Sequence, residues 1–161
     1  MFIEICNIIN SRADMPKYAI ALIRKRIMSK NPKTVYLCLE LLEVAANACE
    51  MPFHTQVASK DFVLVLNSIV SKEIDKKVFE KLCHVLKYWT QIWNGYKDIL
   101  PSIFEFHALL EKKGVEFPGH VESKYAYLLK NKPKPSTSSK SYGDDTKDTK
   151  SSGGGSYFSG Q

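Results

Sequence analysis

The chain has 161 residues, 44% of them hydrophobic, which is enough for one packed domain followed by a tail. With 23 basic and 17 acidic residues the formal charge is +6. That mild excess permits contact with an acidic surface such as a phosphoinositide-bearing membrane but is no nucleic-acid signature. No run of eighteen apolar residues marks a membrane span. The start MFIEICNIIN carries an acid where a signal peptide has a basic flank, so a cytoplasmic protein is expected.

Taken in order, the first element is a short helical pattern from Phe2 to Asn10, with Ile5, Ile8 and Ile9 on one side and Glu4 and Asn7 on the other. It starts at Met1 without a cap, as if a domain were entered part-way. A turn at Asn10–Asp14 precedes a helix from Pro16 to Met28, with Asp14 or Met15 as its cap. Ala19, Ile20, Leu22, Ile23 and Ile27 are its core candidates. It ends in Arg24-Lys25-Arg26, cations that complement the helix dipole. Asn31 caps the next helix and Pro32 opens it.

That helix, centred on Val35–Cys49, is apolar on most sides, with one narrow polar stripe of Glu40, Glu43, Asn47 and Glu50. A helix of this kind must be covered on several flanks, so it is expected to be the central rod of an all-helical domain. Beyond it come a short helix from Met51 through Ala58 and one from Phe62 to Ser71, capped by Ser59 or Asp61. A long helix follows from Asp75 to about Trp93, apolar at Val78, Leu82, Val85, Leu86, Trp89, Ile92 and Trp93, with Lys76, Lys77, Lys81 and Lys87 mostly outside. Pro101 opens the helix Ser102–Lys113, and Gly114 closes it. Glu122–Lys130 reads as one more short helix. From Asn131 the chain is rich in Ser, Gly, Lys and Pro, a composition that cannot bury enough apolar surface to order itself, so residues 131–161 are expected to be a disordered tail.

The four cysteines, Cys6, Cys38, Cys49 and Cys83, form no CxxC pair and lie in apolar helical patterns, which reads as reduced core thiols. The four histidines add no zinc-site spacing. There is no glycine-rich phosphate loop, no nucleophile elbow and no carboxylate pair with a histidine on a shared face. His54, at a helix start, has no nucleophile spaced to use it. The expectation is a binding module without catalysis, cofactor or metal.

Several segments together resemble one family. Phe53-His54-x-x-Val57-x-Ser59-x-Asp61-Phe62 is similar to the FHxxVxSxDF segment of VHS domains. Pro16-Lys17 through Lys25-Arg26-Ile27 resembles that family's PKDAxxxxKKRI helix, Ile5-Cys6 its DICDxI helix, and Leu41-Leu42-Glu43 its LLExCVKNCG helix. Glu80-Lys81-Leu82 with Trp89 fits its KxxxLxxxW helix, and LEKKGVEFP, Leu110–Pro118, its closing motif. The six segments stand in the family's order over residues 1–118.

The resemblance implies a right-handed superhelix of eight helices, like the VHS and ENTH folds, with residues 1–120 as the domain and the family's first helix lacking. On that count the rod is the family's fourth helix. The resemblance also implies a non-catalytic adaptor in endosomal or vesicular sorting. Such a module is a cytoplasmic monomer, peripherally associated with endosomal or Golgi membranes, that binds ubiquitin or ubiquitinated cargo weakly and meets other sorting adaptors. Ubiquitin-binding members open their second helix with a tryptophan and place an apolar residue four positions later. Here the tryptophan position falls before Met1, and Ile3 holds the second. The residues expected to meet ubiquitin are Ile3, Asn7, Glu40, Glu43 and Asn47, the last three as the rim of the surface.

Two alternatives stay open. Arg24, Lys25, Arg26, Lys30 and Lys33 cluster between two helices and could hold the phosphates of a phosphoinositide membrane, as ENTH and ANTH modules do; a solvated helix end is the ordinary reading. A phosphopeptide-reading superhelix in transcription has the same helical period, although the LEKKGVEFP ending argues against it. Tyr125-Ala126-Tyr127-Leu128 fits a YxxΦ sorting signal, in a pattern short enough to arise by chance.

Overall fold

The computed structural model describes residues 1–70 and 73–130, and among them no strand occurs. Eight helices follow one another: α1 (Phe2–Ser11), α2 (Met15–Ile27), α3 (Pro32–Ala48), α4 (Met51–Val57), α5 (Lys60–Val70), α6 (Lys76–Ile92), α7 (Pro101–Lys112) and α8 (Tyr127–Lys130). A 3-10 turn, Asn94–Tyr96, links α6 to α7. Met1–Lys130 is one compact unit. The tail expected from Asn131 onward lies outside the described residues.

Local chemistry sets the helix ends. The Asn31 side chain accepts from the Lys33 N–H at 3.0 Å, and Pro32 supplies a first-turn residue that needs no backbone donor. Asp75 accepts from the N–H groups of Lys77 and Val78 at 2.9 and 3.2 Å. Ser59 Oγ accepts from Phe62 N–H at 3.2 Å, which settles the cap of α5 on Ser59. Asp14 stands at the start of α2 without capping it; its carboxylate takes the Arg12 guanidinium at 2.7 Å instead. After α7, Gly114 turns the chain at φ 98°, and the N–H groups of Gly114 and Val115 satisfy the carbonyls of Glu111 and Leu110.

Packing is that of a wound stack. α1 contacts α2 and α3, α2 contacts α3, α4 and α5, and α6 contacts α3 and α7. α3 is the rod: α1, α2, α6 and α8 all lie against it. Val35, Cys38, Leu39, Leu42, Val44, Ala45 and Ala46 are buried along it. Full burial of a leucine such as Leu39 or Leu42 stabilises the fold by about 1.5–3 kcal/mol. Trp89 from α6 and Phe53 from α4 fill the largest volumes in the same core. All four cysteines are buried and none is in a disulfide, and burial pushes the Cys83 thiol up to about 11.

Three expected core positions face outward. Ile8, Leu22 and Leu37 are 56%, 61% and 54% exposed, because α1, α2 and α3 each keep one flank that no neighbour covers. The helix expected over Glu122–Lys130 shortens to α8, Tyr127–Lys130, preceded by non-helical chain.

Candidate interaction surfaces

The polar stripe of α3 was expected at the surface, and two of its members are inside. Glu43 is 1% exposed and Asn47 0%. A charge or amide removed from water is tolerated only with partners in place, and here they come from distant chain. Lys81 of α6 brings its ammonium within 2.6 Å of Glu43 Oε1, and the Ser123 hydroxyl donates to Oε2 at 2.5 Å. His84 Nδ1 stands 3.8 Å from the same carboxylate. The Tyr88 hydroxyl donates to Asn47 Oδ1 at 2.5 Å, and Asn47 Nδ2 donates to the Glu43 carbonyl at 3.0 Å. Burial pushes the Tyr88 hydroxyl up. Glu43 and Asn47 therefore cannot form the rim of an exposed docking surface. Lys81, expected outside, is also drawn in; its side chain is 11% exposed.

Glu40 lies at the border. Its carboxylate accepts from the Tyr125 hydroxyl and stands 3.4 Å from Lys124 Nζ. The Tyr125 bond, aided by Lys124, holds the Glu40 carboxyl below its ordinary range. With its hydroxyl on Glu40 and Leu128 packed against the core, the Tyr125–Leu128 stretch is folded onto the domain rather than presented as a free sorting signal.

An apolar edge remains on α1 and α3. The Asn10 side-chain amide donates to the Ala48 carbonyl at 3.0 Å and ties the C-terminal ends of the two helices. Along the outer side of α1, Ile3 is 41% exposed and Asn7 one turn later is also exposed; on α3, Leu37 is exposed and Leu41 half-buried. Leu37 is the member that periodicity missed, since an apolar residue on a mostly apolar helix carries no mark of facing solvent.

The basic cluster spans the turn from α2 to α3. Arg24, Lys25 and Arg26 occupy the last turn of α2, Lys30 follows, and Lys33 is in the first turn of α3. All five are exposed, and none makes an ion pair among the described residues. α2 contains no acid, and Tyr18 and Leu22, one turn apart and 62% and 61% exposed, share its outer face.

Compared with known protein families, residues 1–114 match the model of the VHS domain. The chain belongs to the VHS domain family. Target of Myb1 membrane trafficking protein of Mus musculus is 34% identical over 119 residues, covering 71% of this chain and 24% of that protein. TOM1-like protein 3 of Arabidopsis thaliana is 29% identical over 133 residues, covering 83% and 26%. The matched stretch of this chain thus spans about a quarter of the length of these relatives. The crystal structure of the VHS and FYVE tandem domains of Hrs, a protein involved in membrane trafficking and signal transduction, superposes with a TM-score of 0.67 at 28% identity. That match covers 75% of this chain and 55% of the other. The fold is accordingly the helical superhelix of that family. The compact unit runs past the family match, to Lys130.

Proposed function

We propose that this VHS domain is a non-catalytic adaptor module of vesicular protein sorting, binding ubiquitin or ubiquitinated cargo weakly through the α1–α3 edge. Family membership over residues 1–114 is the observation that carries the reading, and similarity to proteins named for membrane trafficking supports it. Ile3 and Leu37 offer apolar contact and Asn7 a polar neighbour. Glu40, engaged by Tyr125 and Lys124, borders this edge, whereas Glu43 and Asn47 act from beneath by fixing α3. So small a patch leans on a few anchors and gives low affinity, raised when several copies meet several ubiquitins on a membrane. Among the described residues no helix is long and apolar enough to cross a bilayer. The family match favours sorting over transcription. Ile3→Asp tests the reading: ubiquitin binding by calorimetry or fluorescence should be lost while the helical signal and melting temperature stay near wild type. Unchanged affinity would remove Ile3 from the site.

A second reading rests on the basic cluster. Five exposed cations without acidic partners among the described residues, beside exposed Tyr18 and Leu22, fit an anionic phosphoinositide membrane at endosomes or the Golgi. Co-sedimentation with phosphoinositide liposomes should fall in Arg24→Glu/Arg26→Glu; binding that does not change dismisses the cluster.

A further inference from the structure

The chain between α7 and α8 is held in the manner of a bound peptide. The Gln91 side-chain amide of α6 accepts from the Val121 N–H and donates to the Val121 carbonyl, both at 2.8 Å. One side chain thereby reads both backbone groups of one residue, whatever that residue's own side chain is. His84 Nε2 lies 2.8 Å from the Glu122 carbonyl, reading the next peptide unit. Side-chain recognition comes from α3: Glu43 takes the Ser123 hydroxyl and Glu40 the Tyr125 hydroxyl. Val121 itself is 8% exposed.

The helices of this domain are held differently. α7 is anchored by Ile103, Phe106 and Leu110, each at most 2% exposed, whereas in the 121–129 segment only Val121 and Ser123 are buried, with Tyr125 and Leu128 partly buried against the core. An element with little apolar burial and many side-chain hydrogen bonds opens at lower cost than the core.

We propose that the groove between α3 and α6 is a reading site for a peptide of pattern apolar-x-Ser-x-Tyr, and that Val121–Tyr125 is its resident ligand in cis. The site does not depend on ubiquitin binding, although its Glu40 also borders the α1–α3 edge. When the resident segment lifts, the groove accepts a peptide of the same pattern in trans. Its two carboxylates favour neutral hydroxyl donors, so a phosphorylated serine or tyrosine, carrying two negative charges toward Glu43 or Glu40, is rejected.

The test uses the full chain with a protease recognition sequence inserted between the exposed residues Pro118 and Gly119. After cleavage, a fluorescent peptide with the sequence of Gly119–Lys130 is titrated in. The site predicts saturable exchange with the nicked protein and little binding to the intact one, whose groove is filled. Gln91→Ala should weaken exchange about tenfold, the loss of roughly 1.4 kcal/mol of hydrogen bonding. Phosphoserine at the Ser123 position of the peptide should weaken it further. Absence of saturable exchange, an affinity indifferent to Gln91→Ala, or unfolding of the helices once the segment leaves would each overturn the proposal. Unfolding on release would make the segment a part of the fold rather than a ligand.

Discussion

The Lys81 ammonium of α6 rests 2.6 Å from the Glu43 carboxylate of α3, with the two side chains 11% and 2% exposed. This ion pair joins the rod to its most extensive neighbour, α6, with the carboxylate almost wholly removed from water. Removal of one partner of such a pair leaves the other uncompensated, a loss of about 3–5 kcal/mol. Lys81→Ala is therefore expected to destabilise the domain by about that amount in urea unfolding, and Lys81→Met/Glu43→Leu to recover most of it. A single substitution that shifts the stability by less than about 1 kcal/mol, the range of exposed pairs, would contradict the burial.

Glu40 gives the fold an acid-side dependence. Its folded carboxyl is held below the ordinary value of 4.5, first by the Tyr125 hydroxyl and then by Lys124. A depressed carboxyl contributes stability that is present above the unfolded value and lost as the pH falls through the folded one. Unfolding midpoints should thus fall as the solution is acidified below about pH 4.5, where the unfolded chain takes up the proton first. Tyr125→Phe should flatten that part of the profile. A profile identical to wild type would detach Tyr125 from Glu40.

Gly114 tests the turn after α7. At φ 98° it occupies a region that residues with a side chain rarely adopt, while a Cβ there would meet nothing within 4 Å. The cost of Gly114→Ala is therefore conformational, about 1 kcal/mol by denaturant unfolding. A neutral result would show that the turn relaxes.

Helix order was legible because apolar residues recur at helical spacing and Asn31, Ser59, Asp75 and Gly114 mark the ends. The family was legible because six short segments stand in register. The direction of the rod's polar stripe was not. Its burial depends on Lys81, Ser123 and Tyr125, which lie 38, 80 and 85 residues further along the chain than the acids they meet. A stripe of three acids and an amide on an otherwise apolar helix fits an exposed flank and a buried network equally well, and tertiary packing decides between them. Leu22 and Leu37 failed for the converse reason: the pattern that marks a core face is the same one that marks an interaction edge.

The α1–α3 edge is the proposed partner-facing surface, and the polar row of α3 is its internal support. Backbone NMR of the labelled domain titrated with ubiquitin tests this most directly. Fast-exchange shifts are expected to concentrate at Ile3–Asn7 and around Leu37 and Leu41, with smaller ones at Glu40 and little change at the side chains of Asn47 and Gln91. A spectrum unmoved at about millimolar ubiquitin, the weak end of specific association, or shifts centred on another face would contradict it.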